Sequence, residues 1–239
     1  GAVNVITQSS AARAGGMASL QMNDKGNKRV GLQAGTPIGK WGVIVSGYYA
    51  EKKNGPIEYS DFDKKAITVR TDYRAGEHTS WTNTLALVDY SSDMSGSIDS
   101  IKFANKDYTS LQTFTYRNVY ALRYKSMLNH RWNDNSNTNI ALLYRNNAVQ
   151  QNPSYSIAST RDPEKYRGQI NENAFSTYAL FVTHSQKIPR VKSKIIAGAS
   201  VDYSPQRYYA KFISIHKDLS SGKFTSYDAP AVDSFLSKY

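Results

Sequence analysis

The odd positions of segment 116–132 carry Arg117, Arg123, Lys125 and Arg131, and Arg145 follows beyond a short polar break. Guanidinium groups are rigid forks that grip carboxylates and other oxyanions through paired hydrogen bonds, so a row of them selects negative charge. Asn146, Gln151, Asn152 and Tyr155 lie at or after Arg145 and add amide donors and an aromatic ring. Arg117, Arg123, Arg145, Asn146, Gln151, Asn152 and Tyr155 are therefore the residues expected to contact a ligand, an anionic and delocalised small molecule.

Other chemistry is weakly supported. His78, His130, His184 and His216 are far apart and lack the paired spacing of a metal site, so no metal and no cofactor is expected. His130 or His184 beside a serine would be the candidate base of a hydrolase, but no Gly-x-Ser-x-Gly elbow is present and no enzyme is expected. The stretch Gly35-Thr36-Pro37-Ile38-Gly39-Lys40-Trp41 imitates a phosphate-binding loop. Its glycines are too close together, and Trp41 stands where a magnesium-binding hydroxyl belongs, so it reads as a turn.

The arginines need a scaffold with two faces. In segment 116–132, Tyr116, Tyr120, Leu122, Tyr124, Leu128 and Trp132 alternate with the basic residues, a period of two that specifies a strand. The strand is longer than the usual five to six residues of soluble domains. The same division recurs at 66–74 and 138–147, and strand-like stretches fall at 17–22, 29–35, 41–50, 80–90, 175–187 and 193–203. Short links at 38–40, 75–77, 133–136 and 188–192 alternate with long ones at about 51–65, 91–112, 148–174 and 204–239. Tight turns on one rim and long loops on the other are the signature of an outer-membrane β-barrel. On that scaffold the charged face lines the interior, and polar loops carry the binding residues.

Composition agrees. Eighteen tyrosines suit an aromatic belt where an apolar surface meets water, and a mean hydropathy of -0.56 excludes a bundle of membrane-spanning helices. The net charge of +11 suits an anionic partner. The cations are spread singly along strands, with no basic run of five or more, which argues against nucleic acid. No cysteine and no secretory signal is present, and any targeting segment is expected outside these residues. About nine strands are counted, with Tyr208–Ile215 either opening a tenth or belonging to a large loop.

Three stretches resemble TonB-dependent outer-membrane receptors, particularly those of the Bacteroidota type. Gly1-Ala2-Val3-Asn4-Val5-Ile6-Thr7 is similar to the strand that ends their plug domain. The run from Tyr116-Arg117-Asn118-Val119-Tyr120 through His130-Arg131-Trp132-Asn133 and Tyr144-Arg145-Asn146-Asn147 to Gln151-Asn152-Pro153-Ser154-Tyr155 looks like their barrel, as does Gly198-Ala199-Ser200-Val201-Asp202-Tyr203-Ser204-Pro205.

The resemblance implies an all-β fold: an antiparallel transmembrane β-barrel, partial, with about nine to ten strands of about 22, and the final strand of a plug. Residues 1–14 would be the plug end and linker, and 15–239 the first part of the barrel in a Gram-negative outer membrane. It further implies import of a scarce nutrient, a ferric siderophore foremost or a haem- or cobalamin-like ligand. The implied partners are outer-membrane lipid and lipopolysaccharide, TonB through a region not in this sequence, the remaining barrel and plug segments, and an anionic small molecule. The arginines would face that ligand or the carboxylates of the plug. The alternative is a complete small barrel of about ten strands acting as a passive pore or structural protein.

Overall fold

The computed structural model describes residues 13–153, 156–228 and 233–238. The expected plug strand, Gly1 to Thr7, lies outside the described residues.

The chain folds as one antiparallel sheet. Strands β1 (Gly15–Met22), β2 (Asn27–Ile38), β3 (Trp41–Lys52), β4 (Phe62–Arg74), β5 (Thr79–Asp93), β6 (Tyr116–Asn133) and β7 (Ser136–Asn152) each pair with the next in the sequence. Strand β9 (Lys165–Ile188) then pairs with β7 on one side, and β8 (Ala158–Ser159) adds a short rung near its start. On its other side β9 meets first β11 (Gln206–Lys217) and then β10 (Ser193–Tyr203).

Tyr203 faces Tyr178 and Gln206 faces Phe175, so β10 and β11 keep one register across Ser204-Pro205. They form a single long strand with one proline in it. Pro205 has no N–H to give, but its carbonyl still accepts from the Ser176 N–H at 3.2 Å. Strands β12 (Phe224–Tyr227) and β13 (Asp233–Lys238) pair with β11 and supply the tenth position in the ladder.

Two readings of the sequence are corrected here. The stretch 204–239 is mostly strand, with Tyr208–Ile215 continuing the ninth strand. The link 148–174 shrinks to 153–164, because β7 runs to Asn152 and β9 begins at Lys165. Amide-rich residues such as Asn146, Gln151 and Asn171 have low strand propensity, and cross-strand pairing overrides it. The sheet also does not close: among the described residues no pairing joins β1 to β12 or β13, so the ten-strand pore lacks its seam.

The register sorts side chains into two faces. On one, Trp41, Tyr73, Trp81, Leu128, Ile140 and Val182 stand side by side near the short turns. Tyr49 and Tyr120 mark the same face further up. Most of these rings and alkyl groups are exposed. The Trp81 indole N–H donates to Ser126 Oγ at 2.7 Å, and that of Trp132 donates to Thr138 Oγ1 at 2.8 Å. From Trp41 to Tyr49 is about 27 Å along the strand, or about 20 Å of height at barrel tilt, close to the roughly 25 Å apolar band of membrane barrels. This exposed band has the make-up of a lipid-facing surface.

Turns obey local chemistry. Gly39 takes φ +60 between β2 and β3, where a side chain would be strained, which confirms the false phosphate loop as a hairpin. A 3-10 turn at Pro189–Val191 links β9 to β10. Above the aromatic belt the apolar face is covered: Ile213, Ile215 and Phe224 form a buried cluster with Phe114, Ile157, Tyr166, Ile170 and Tyr227. Gly168 makes room for it, since a Cβ there would lie 2.3 Å from Ile215 Cδ1.

Leu85 sits midway up the exposed apolar face and Thr68 on the other. In lipid vesicles Leu85→Arg is expected to destabilise the full-length protein by about 2–4 kcal/mol, whereas Thr68→Lys changes it by less than about 1 kcal/mol. Guanidinium unfolding followed by tryptophan fluorescence reads both.

Candidate functional site

The charged face carries Arg29, Lys64, Arg70, Arg117, Arg123 and Arg145. The carboxylates on that face of β1 to β11 are Asp72 and Asp202. Asp72 is engaged: Arg70 holds it through Nε at 3.0 Å and Nη2 at 3.0 Å, and the Thr82 hydroxyl donates to it at 2.7 Å. The positive charge of the chain is thus concentrated on one wall. Arg29 lies 4.3 Å above the Tyr48 ring, with Lys64 at 5.8 Å, an aromatic platform for cations near the long-loop end.

The sequence-predicted residues divide into groups. Arg117 faces Gln151 across β6 and β7, and its Nε donates to Gln151 Oε1 at 2.9 Å. Asn171, on β9, continues this row, and the Tyr208 hydroxyl donates to its Oδ1 at 3.1 Å while accepting from Gln169 Nε2 at 2.7 Å. Arg117, Gln151, Asn171, Gln169 and Tyr208 therefore make one polar patch beneath the long loops. Arg123 and Arg145 face each other lower on the same wall.

Asn146 points to the opposite, apolar face, where its Nδ2 is 3.5 Å from the Tyr144 hydroxyl. Asn152 is fully buried, and neither of its side-chain polar atoms has a partner, so it is closed to a ligand. All the positions placed here from Arg145 to Asn152 lie in strand rather than loop. Tyr155 lies outside the described residues.

Asn171, Gln169 and Tyr208 were missed because they fall in stretches read as loop. Period-two alternation carried past Asn147 to Gln151 and back from Phe175 would have found Asn171.

The long loops are tied together above this wall. The β3–β4 loop sends Glu58 to Lys223 in the β11–β12 turn, 2.9 Å from Nζ, and Glu58 also accepts from the Ser110 N–H at 3.2 Å. Ser110 belongs to the β5–β6 loop, which contains the short helix α1 (Ser100–Ala104). Its buried hydroxyl donates to the Ser95 carbonyl at 2.6 Å. Gln112 forms a parallel bridge to Phe224, and the Phe224 N–H donates to the Leu111 carbonyl at 2.8 Å. Tyr59, beside Glu58, is held at φ +49, a conformation unfavourable for a bulky side chain, with the Lys223 ammonium 5.7 Å from its ring. Three loops distant in sequence are latched at one carboxylate.

The histidines have structural settings. His130 Nδ1 lies 2.7 Å from the Thr79 hydroxyl, and its ring stacks edge-on against Trp132 at 4.3 Å. His184 lies between Thr138 at 2.8 Å and Ser136 at 3.4 Å. Among the described residues neither ring is hydrogen-bonded to a carboxylate, the third member that would orient a base. No group of three or more histidine, aspartate or glutamate side chains gathers among the described residues.

The fold is that of part of the barrel of TonB-dependent outer-membrane receptors. Three solved structures place it. The ferripyoverdine receptor of the Pseudomonas aeruginosa outer membrane, bound to ferripyoverdine, matches with a TM-score of 0.71 at 11% identity, over 97% of this chain and 34% of that one. The ferric citrate transporter FecA, unliganded, gives 0.64 at 12% identity, over 94% and 33%. The ferric-catecholate import receptor Fiu from E. coli K12, in its closed form, gives 0.60 at 11% identity, over 100% and 47%. The chain thus spans about a third to a half of the receptors it matches. No family model and no curated protein matches the sequence. In barrels of this fold the apolar face is outermost and the polar face lines the interior, which puts the arginine wall inside and the latched loops over one mouth.

The latch has a defined pH window. Glu58 is held below its ordinary value of 4.5, chiefly by its hydrogen bond from Lys223 and then by the Ser110 N–H. Lys223 is held above its ordinary 10.5 by the same bond. The lowered carboxylate favours docking above pH 4.5 and loses that contribution as pH falls through its lowered pKa. The raised ammonium contributes below pH 10.5 and loses it as pH climbs through its raised pKa. The protection factor of the Ser110 amide is therefore expected to be high at pH 7, to fall once the medium is more acid than Glu58, and to be low throughout in Glu58→Ala. Equal protection in wild type and variant would show that the latch contributes nothing.

Proposed function

We propose that this chain forms about the first ten strands of the barrel of a Gram-negative outer-membrane receptor that imports an iron-bearing ligand, a ferric siderophore foremost. The observation that carries this reading is the division of the sheet. An exposed, aromatic-belted apolar face backs onto a wall whose cations greatly outnumber its two carboxylates on β1 to β11. A positive interior attracts an anionic cargo and raises its local concentration. The receptors this chain resembles are a ferric citrate transporter, a ferripyoverdine receptor and a ferric-catecholate import receptor, which supports the same class of cargo.

In this reading the Arg117, Gln151, Asn171 and Tyr208 patch meets the ligand beneath the loops, with planar donors and one ring suited to a delocalised anion. Lipid and lipopolysaccharide surround the apolar belt, and the remaining barrel strands cover the two open edges, which lipid does not tolerate. A plug fills the interior, and TonB engages a region not in this sequence. A haem- or cobalamin-like ligand is the second cargo class. The protein acts as a transporter and not as a catalyst, with His130 and His184 serving the rim of the lipid-facing surface.

Two measurements test this. The intact mass of the protein extracted from its native membrane is expected to be roughly two to three times the 26.7 kDa of this chain, with an N-terminal sequence that lies outside it. With iron-starved cells, radiolabelled iron uptake from a panel of ferric citrate, hydroxamate and catecholate complexes is expected to fall at least tenfold on gene deletion for one class. Arg117→Ala is expected to raise the half-saturation concentration by about tenfold, the loss of one charge-assisted hydrogen bond of about 1.5 kcal/mol. Unchanged uptake for every class in the deletion strain would rule out iron as the cargo.

A further inference from the structure

Arg123 and Arg145 are direct cross-strand partners on the interior wall, with Lys125 two residues along the same face. Like charges directly opposite are destabilising, so the pair is costly unless an anion lies between the two groups.

The surroundings show how far the wall itself supplies one. Arg145 Nη2 donates to the Thr177 hydroxyl at 3.3 Å, and Thr177 is wholly buried. Thr177 Oγ1 is 3.0 Å from Ser204 Oγ, which donates to Asp202 at 2.6 Å. With one proton per hydroxyl, the order is fixed: Arg145 to Thr177, Thr177 to Ser204, Ser204 to Asp202. This relay anchors one edge of the guanidinium and leaves two hydroxyls between it and the Asp202 carboxylate.

The rest is unmet. Arg145 Nε and, two residues along the same face, Asn147 Oδ1 are buried without a partner. Arg123 is exposed and makes no hydrogen bond or ion pair among the described residues. Asp72, the other carboxylate on this face of β1 to β11, is already held by Arg70 and Thr82.

We infer that Arg123 and Arg145 form a carboxylate clamp on the inner wall, distinct from the Arg117 patch above it. One carboxylate lies between the guanidiniums, accepting from both, while the Thr177 relay fixes the orientation of Arg145. Its ligand class is a carboxylate, because two guanidinium forks carried on directly opposed strand positions suit a planar anion with two acceptor oxygens. The carboxylate belongs either to the polypeptide that fills the interior or to a small solute. The clamp rests on the barrel reading above and not on the identity of the cargo.

The test uses the full-length protein in detergent, with glutarate as the probe and thermal unfolding as the readout. If the carboxylate belongs to the polypeptide, Arg123→Gln and Arg145→Gln each lower Tm by about 3 °C or more. The double variant is then no worse than the poorer single, because both lose the same anion, and glutarate changes nothing. If it comes from solution, glutarate raises the wild-type Tm and neither single variant responds. Arg123→Gln lies at an exposed position and reads the clamp even if Arg145→Gln fails to fold. A Tm that is unchanged or higher in Arg123→Gln, with no glutarate response in the wild type, overturns the clamp, since relief of repulsion is what an empty pair predicts. Additive losses, or a loss confined to one arginine, overturn it as well. Iron uptake is read separately, so failure of the clamp leaves the transport reading standing, and the converse.

Discussion

A surface that faces lipid must satisfy every backbone N–H and C=O within the protein, and the whole sheet is organised by that constraint. Strand-to-strand pairing is unbroken from β1 through β7 to β9, and the tenth position is assembled from two short pieces on β11. Even Pro205, which removes a donor, leaves the register of β10 and β11 on β9 unchanged. Once the ladder is fixed, side-chain direction follows with a period of two. One face becomes continuous apolar surface and the other collects the charge.

This explains what the sequence could and could not disclose. Segment 116–132 was legible because each of its faces is chemically uniform, and it gives the wall positions of Arg117, Arg123 and Arg145 directly. Where the faces are less distinct, the reading stopped early. Ala148, Val149 and Gln150 show no alternation, yet they are held in strand by β6 and β9 on either side. Asn146 illustrates the cost: its amide suggested a ligand contact, whereas its parity sends it to the outer face. The small core at Ile213, Ile215 and Phe224 was invisible for another reason. It is built by residues about a hundred positions from Phe114, and no local pattern encodes that meeting.

Charge divides the molecule by height as well as by face. On the wall, like charges gather with few carboxylates near them, which costs energy through repulsion. Over the mouth, opposite charges meet one to one at Glu58 and Lys223, drawing together loops that share no ladder. The first pattern makes one face of the sheet strongly positive, and the second gives the loops a common position that breaks with few bonds. The wall is therefore held by the continuous ladder, and the loops above it by a few bonds that break more readily.

Strand β9, Lys165–Ile188, is the longest in the sheet. At about 3.3 Å per residue it extends for about 80 Å, and at barrel tilt it climbs roughly 55–65 Å. The hydrocarbon core is only about 30 Å thick, so close to half of β9, with β11 beside it, stands clear of the oily layer. The lower part answers to lipid and tolerates little change. The upper part answers to water and carries its own small core, so it is a tower free to vary in outline. Anything arriving from outside meets that tower first, and the arginine wall stays below its reach.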